Sequence, residues 1–293
     1  YGVTFVRRPE LRGHTAEAEV YEVLDADGST VGLFVMDFWA RPTKMGGAWM
    51  NNIVDASGLL GELPVVTNNC NYPKGTTTIT WDGVVTMFHE FGHALHGLFA
   101  ASKYPSHSGT STPRDFVEFP SQVNEHWAWE PDAVIPAEWA AKLTAAERFN
   151  QGFGNYEAWS AMILDQAWHT TPLGELPTSA DEVEAFEARA LEASGMAYDL
   201  IPPRYRSPYF AHIWGGGYGA AYYSYVWAEV MDADAVAWFE ANGGATRANG
   251  DHFRRTLLAP GGSVDVMSTW RAFIGRDPDI EPLLRRKGLL SPS

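Results

Sequence analysis

The five residues His89-Glu90-Phe91-Gly92-His93 constrain this chain more than any other stretch, because the pattern H-E-x-x-H has a chemical use only on an α-helix. Positions four apart on a helix lie one turn above each other, so His89 and His93 can present two imidazoles to one ion. Glu90 lies about 100° round the helix from His89, near enough to reach a water on that ion without ligating it. The flanks agree with a helix. Thr86-Met87-Phe88 and Ala94-Leu95-His96-Gly97-Leu98-Phe99 place apolar residues at spacings of three and four, with no proline between them. The reading is a zinc site.

Catalytic zinc takes a third protein ligand and keeps a fourth position open. The extended pattern H-E-x-x-H-x-x-G-x-x-H fails here, because His96 and Phe99 occupy the positions of its glycine and last histidine. The other source is a carboxylate on a second helix, and residues 114–127 offer Asp115, Glu118 and Glu125. On a continuous helix the three fall within about 80° of one face, with Glu118 and Glu125 about 20° apart. Pro120 fits best in a first turn, which puts Glu118 near the helix start. Spacing alone leaves all three open.

Several further strings stand in order along the chain: GGAWM at 46–50, CNYPK at 70–74, HEFGHALH at 89–96, SGTSTPRDFVEFPSQVNEHW at 108–127 and PPRYRSPYFAHIWGGGY at 202–218, which runs on to Tyr225. Together they resemble the thimet oligopeptidase–neurolysin family of zinc metallopeptidases, and within it the bacterial peptidyl-dipeptidases. The likeness runs along nearly the whole chain. It implies one zinc ion held by His89, His93 and Glu118, with Glu90 as general base. It implies His212, Tyr218 and Tyr225 as contacts to the transition state and the substrate backbone, and it points to peptide substrates. Glu125 is expected behind the metal ligands, orienting them.

Members of that family are much longer and begin with a helical region that forms the far wall of a substrate channel. A sequence that opens at Tyr1-Gly2-Val3-Thr4-Phe5-Val6 reads as a strand already inside a domain. The expectation is the C-terminal catalytic part of a longer protein, with the absent N-terminal region completing the channel. No apolar run reaches the roughly 18–20 residues of a membrane span. The single cysteine, Cys70, cannot form an intrachain disulfide, which with the absent span points to a cytoplasmic enzyme. A net charge of −15 argues against a nucleic-acid partner, which would meet a basic face.

The expected fold is α+β and mainly α-helical, a zincin-like catalytic domain with a small sheet beside the motif helix. One domain spans 1–293, with a β-containing part at 1–80 and a helical part at 81–293. Residues 18–24 and 30–38 flank Asp25-Ala26-Asp27-Gly28-Ser29 as a hairpin, and 63–67 and 76–81 are further strands. The motif helix runs from about 83 to 101. Helices follow near 116–131, 136–151, 154–169, 180–193, 219–241, 248–258, 263–274 and 279–287.

Peptide hydrolysis then assigns the remaining roles. Glu90 takes a proton from the attacking water and passes it to the leaving amine. The developing oxyanion needs a placed donor, and a tyrosine hydroxyl donates without bringing a charge that must be desolvated. Tyr218 and Tyr225 are seven apart, two turns on one helical face, and Gly216 and Gly217 would let the segment approach a peptide backbone. Tyr222 is a further substrate-binding candidate. Arg204 and Arg206 are candidate cations for a substrate's terminal carboxylate. The G-x-G-x-x-A run at 215–220 matches a dinucleotide fingerprint only formally, since it lacks the strand–helix–strand setting. His14, His107, His169 and His252 show no ligand spacing. The first functional expectation is release of C-terminal dipeptides. Internal cleavage by an oligopeptidase of the same family, or a zinc-binding fragment without turnover, are the alternatives.

Overall fold

The computed structural model describes residues 1–130, 134–147 and 149–290. Five strands form one mixed sheet in the order β1-β2-β3-β5-β4: β1 Thr4–Arg7, β2 Glu19–Leu24, β3 Thr30–Trp39, β4 Trp49–Val54 and β5 Val65–Tyr72. The hairpin expected around 25–29 is β2–β3. Asp25 and Ser29 close its turn at 2.8 Å, and Gly28 takes the left-handed conformation the turn needs, with φ at +84°.

Two strand expectations need correction. Residues 76–81 form no strand; they lead into the motif helix, and the Thr80 hydroxyl caps it by accepting from Gly83 N–H at 3.1 Å. The strand expected at 63–67 runs on to Tyr72. Its polar residues Asn68, Asn69 and Cys70 are buried, and the Asn69 amide bonds Trp49 O and Thr67 Oγ1. That amide helps to tie down β4, which sequence pattern did not reveal. β4 pairs antiparallel with β5 and forms one edge of the sheet.

Helix α1 Trp81–Leu98 lies against this sheet and α2 Arg114–Trp129 packs on α1, followed by α3 Ala137–Glu147, α4 Gln151–Thr170, α5 Ala180–Ala193, α6 Ala211–Trp214, α7 Ser224–Ala241, which also packs on α2, α8 Arg247–Phe253, α9 Val266–Ile274 and α10 Glu281–Arg286. The end expected for one helix at 131, and position 148 within the next, lie outside the described residues. The helix expected from 219 begins instead at Ser224, and the one expected over 248–258 changes to a π-helical turn at Arg254–Leu258. Pro120 sits in the middle of α2, not in its first turn.

One core joins these elements: Val23, Phe34 and Val66 from the sheet, Leu95 and Leu98 from α1, Phe116, Phe119 and Val123 from α2, Met231 from α7, and Phe253 and Trp270 behind. Burial of such side chains contributes roughly 1.5–3 kcal/mol each. Gly92 sets the distance between α1 and α2. A methyl group there would stand 2.6 Å from Ser121 Cα and 3.0 Å from Pro120 O, so the two backbones touch at that point. The sheet and the two crossed helices thus put the motif helix between β4 on one side and α2 on the other.

Candidate active site

α1 and α2 bring three ligand groups to one point. Glu118 Oε2 lies 3.2 Å from His89 Nε2 and 3.2 Å from His93 Nε2, and the three ligand atoms all fall within 4.8 Å of one another. His89 Nδ1 is hydrogen-bonded to Glu125 Oε1 at 2.6 Å, which leaves Nε2 facing the cluster. Asp115, the third carboxylate of α2, lies elsewhere, within 3.5 Å of the Tyr223 hydroxyl. Burial works against charge on Glu118, but His93, followed by the bonds from His89 and His93, holds it well below the usual carboxylate range. Burial likewise opposes protonation of His89, and Glu118 and Glu125 outweigh it, so its pKa is raised. His89, His93 and Glu118 can therefore hold a metal ion.

Glu90 points into the same cleft and is 6% exposed. Desolvation raises its pKa, the direction expected of a carboxylate that must take up a proton near neutrality. The cleft, about 310 Å³, is closed on one side by Ala48, Trp49 and Met50 at the start of β4. Buried Asp37 anchors the approach to that strand, pairing with Arg41 at 2.7 Å, His14 at 2.8 Å and Lys44 at 3.1 Å. Among the described residues, larger concavities of about 820 Å³ beside β1–β2 and about 770 Å³ between α2, α7 and α10 hold no comparable ligand group.

The opposite side is aromatic. The Tyr218 hydroxyl donates to Glu118 Oε1, and the Tyr218 and Tyr225 rings stack with centroids 5.2 Å apart and planes 16° apart. Only Tyr225 lies on α7; Tyr218 sits in the preceding turn, so the expected pairing on one helical face is replaced by a turn folded back on a helix. Burial and then the Glu118 charge push both phenols up, which keeps them as donors. His212 packs 5.9 Å from Tyr218, and burial together with the Arg204 charge pushes its pKa down. Gly217 holds a left-handed conformation, at φ +79°, and Gly216 has no room for a side chain against the His212 backbone.

Three expected substrate contacts sit elsewhere. Tyr222 is 5% exposed and packs behind the cleft against Phe210 and Tyr205. Arg206 is bound at 2.6 Å to the buried carboxylate of Glu187, away from the cleft lining. Arg204 stands near His212 and Tyr222, where its charge is felt, but does not line the cleft. The cleft's own permanent cation is Arg114, whose guanidinium lies 4.5 Å from the Tyr218 ring centroid. It stands one residue before Asp115 in the string at 108–127, where the spacing of the carboxylates does not mark it.

Known proteins carry the same arrangement of sequence. The model of peptidase family M3 matches residues 1–289. The chain belongs to peptidase family M3. Among M3 relatives, the chain is 44% identical to the dipeptidyl carboxypeptidase of Salmonella typhimurium and 45% identical to that of Escherichia coli, in each case over 99% of this chain and 44% of the relative. It is 34% identical to oligopeptidase A of Escherichia coli, over 99% of this chain and 45% of that protein. The chain thus spans less than half the length of these curated relatives. A solved Bacillus anthracis structure described as an oligoendopeptidase F shares the fold, with a TM-score of 0.53 at 14% identity over 87% of this chain and 39% of that one. Metal dependence, expected from the motif, is a property of the M3 family. Among the described residues no helix is long and apolar enough to cross a membrane.

Proposed function

We propose that this chain carries the catalytic centre of a zinc peptidase that releases dipeptides from the C-termini of peptides. The observation that carries the reading is the His89–His93–Glu118 group with the Glu90 carboxylate beside it. The group suits zinc. Tetrahedral zinc holds nitrogen and oxygen ligands at about 2.0–2.2 Å, so neighbouring ligand atoms stand roughly 3.3 Å apart, close to the 3.2 Å from Glu118 to each imidazole. Two imidazoles and one carboxylate are also a donor set that catalytic zinc accepts. When bound, zinc supplies Lewis-acid polarisation of a carbonyl and lowers the pKa of water toward neutrality.

The chain's own residues perform the proton and charge work. Glu90 accepts a proton from the water whose oxygen attacks the scissile carbonyl carbon, and returns it to the amine nitrogen as the C–N bond breaks. Tyr218 and Tyr225 donate hydrogen bonds to the oxygen that becomes negative, and neutral His212 supports them. The unpaired edge of β4 can take an extended peptide as an added strand, which aligns its backbone along the cleft.

Dipeptide release needs a cation for the free terminal carboxylate, and Arg114 is better placed for this than Arg204 or Arg206. The names of the relatives near 45% identity support the same reading, while the 34% likeness to oligopeptidase A keeps internal cleavage as the second reading. Incubation with one peptide bearing a free or an amidated C-terminus, read by mass spectrometry, separates them. Dipeptides from the free form alone support the proposal, and Arg114→Ala should narrow the difference between the two forms. Equal internal cleavage of both would favour the oligopeptidase.

A further inference from the structure

Tyr218 faces Glu118 from a turn with an unusual backbone. Gly217 and Ala220 both have positive φ, at +79° and +56°, and for alanine that conformation is sterically costly. Asp165 on α4 holds this turn. It is wholly buried, and its two carboxylate oxygens accept from different amides: Oδ1 from Ala220 N–H at 2.8 Å and Oδ2 from Tyr222 N–H at 2.9 Å. His169, one turn further along α4, stands at the same point: its Nδ1 is hydrogen-bonded to the Asp165 carbonyl oxygen at 2.8 Å and lies 2.9 Å from Asp165 Oδ1 and 3.2 Å from Ala220 N. Gln166 Nε2 donates to Ala220 O at 3.0 Å, and a methyl group on Gly219 would stand 3.0 Å from His169 Nε2. The face of α4 around 165–169 is thus shaped to the turn. The two bonded amides lie in sequence between Tyr218 and Tyr225, whose rings stack.

We propose that Asp165, with His169 beside it, is a positioning residue that locks the Tyr218–Tyr222 turn over the metal cleft, so that the Tyr218 and Tyr225 hydroxyls meet the reacting carbonyl. The role rests on the peptidase reading. A simple tie between α4 and a loop would need one acceptor and no left-handed alanine. Here both oxygens are committed, two and four residues after Tyr218.

Asp165→Asn is nearly isosteric, yet its amide NH₂ must face one of the two N–H groups that the carboxylate accepted. In the zinc-loaded chain, hydrogen–deuterium exchange at the Ala220 and Tyr222 amides should quicken by about tenfold or more. One equivalent of zinc should be retained. On a peptide with a free C-terminus, kcat should fall about 10- to 100-fold while KM changes less than about threefold. Asp165→Glu, which keeps both acceptors on a longer stem, should recover part of the loss. Gly219→Ala leaves Asp165 intact but drives the turn off His169, and should reproduce both the faster exchange and the lower kcat. Unchanged exchange in Asp165→Asn and Gly219→Ala would overturn the lock. Faster exchange with unchanged kcat, or a loss that comes with zinc release, would reduce Asp165 to a structural tie. If the wild-type chain hydrolyses no peptide, the outcome falls on the peptidase reading and not on the turn, and exchange alone decides whether Asp165 holds it.

Discussion

His89, His93 and Glu118 project from the interiors of two long helices whose backbones touch at Gly92, whereas Tyr218, on the other side of the same cleft, projects from a turn held by hydrogen bonds to Asp165, Gln166 and the His212 carbonyl. The first wall shares its helices with the main core, to which α1 gives Ala94, Leu95 and Leu98 and α2 gives Phe116, Phe119 and Val123. The second packs in a separate aromatic cluster around Phe210 and Tyr222. A metal site gains from rigidity, since misplaced ligands lose affinity. The second wall depends on a few polar bonds to its turn, so its hydroxyls can be displaced without disturbing the metal ligands. The two walls should therefore fail in different ways.

The largest effect expected is loss of the metal. Glu118→Ala leaves two imidazoles, and zinc affinity measured by chelator competition should drop at least about 100-fold, with hydrolysis lost. Glu125→Ala, which frees His89 Nδ1, should cost roughly 10–100-fold. If these two variants fall in the reverse order, the choice of Glu118 as ligand is wrong. Damage to the second wall should leave the metal in place. Tyr225→Phe or Tyr218→Phe should lower kcat by about 100-fold with little change in KM, because the hydroxyl matters most once the oxyanion has formed. A pure KM effect would assign that tyrosine to ground-state binding.

Smaller effects sharpen the contrast through stability. Gly92→Ala pushes Ser121 and Pro120 away from α1, and denaturant unfolding should show a loss of about 1–3 kcal/mol. A wild-type unfolding curve would mean the helices are less tightly crossed. His96, wholly buried on α1 with no partner for either ring nitrogen among the described residues, has its pKa pushed down to about 3 by burial. Its folded value lies below the unfolded 6.5, so the unfolded chain binds the proton more readily. Stability should be fullest above pH 6.5 and decline as pH falls toward 3, by at most roughly 1.4 kcal/mol per unit from this group. His96→Leu should flatten that slope in denaturant titrations between pH 6.5 and 4.5, and an unchanged slope would place the acid sensitivity elsewhere.

The same contrast explains what was legible in the sequence. α1 could be read because H-E-x-x-H and its apolar flanks share the helical period. Glu118 and Glu125 could be placed on one face because α2 is continuous, despite the misjudged position of Pro120. β4 carries no strand pattern because Asn51 and Asn52 interrupt its apolar alternation, and the strand is tied in by the buried Asn69 amide of β5, a residue type that reads as a turn former. Tyr218 and Tyr225 were chosen by resemblance, but the period that put them on one helix was wrong, because the left-handed Ala220 and the glycines delay α7 to Ser224. Asp165 and His169 have no local pattern. Their role depends on a turn more than fifty residues away.

In the proposed mechanism Glu90 acts beside a metal it does not bind. Wild type and Glu90→Gln, each loaded with zinc, can be assayed for metal content and peptide hydrolysis in the same samples. The prediction is one equivalent of zinc in both, with hydrolysis in the wild type alone, because the amide keeps the shape of the side chain but cannot accept the proton. Comparable hydrolysis by the two, or loss of zinc from Glu90→Gln, would contradict it.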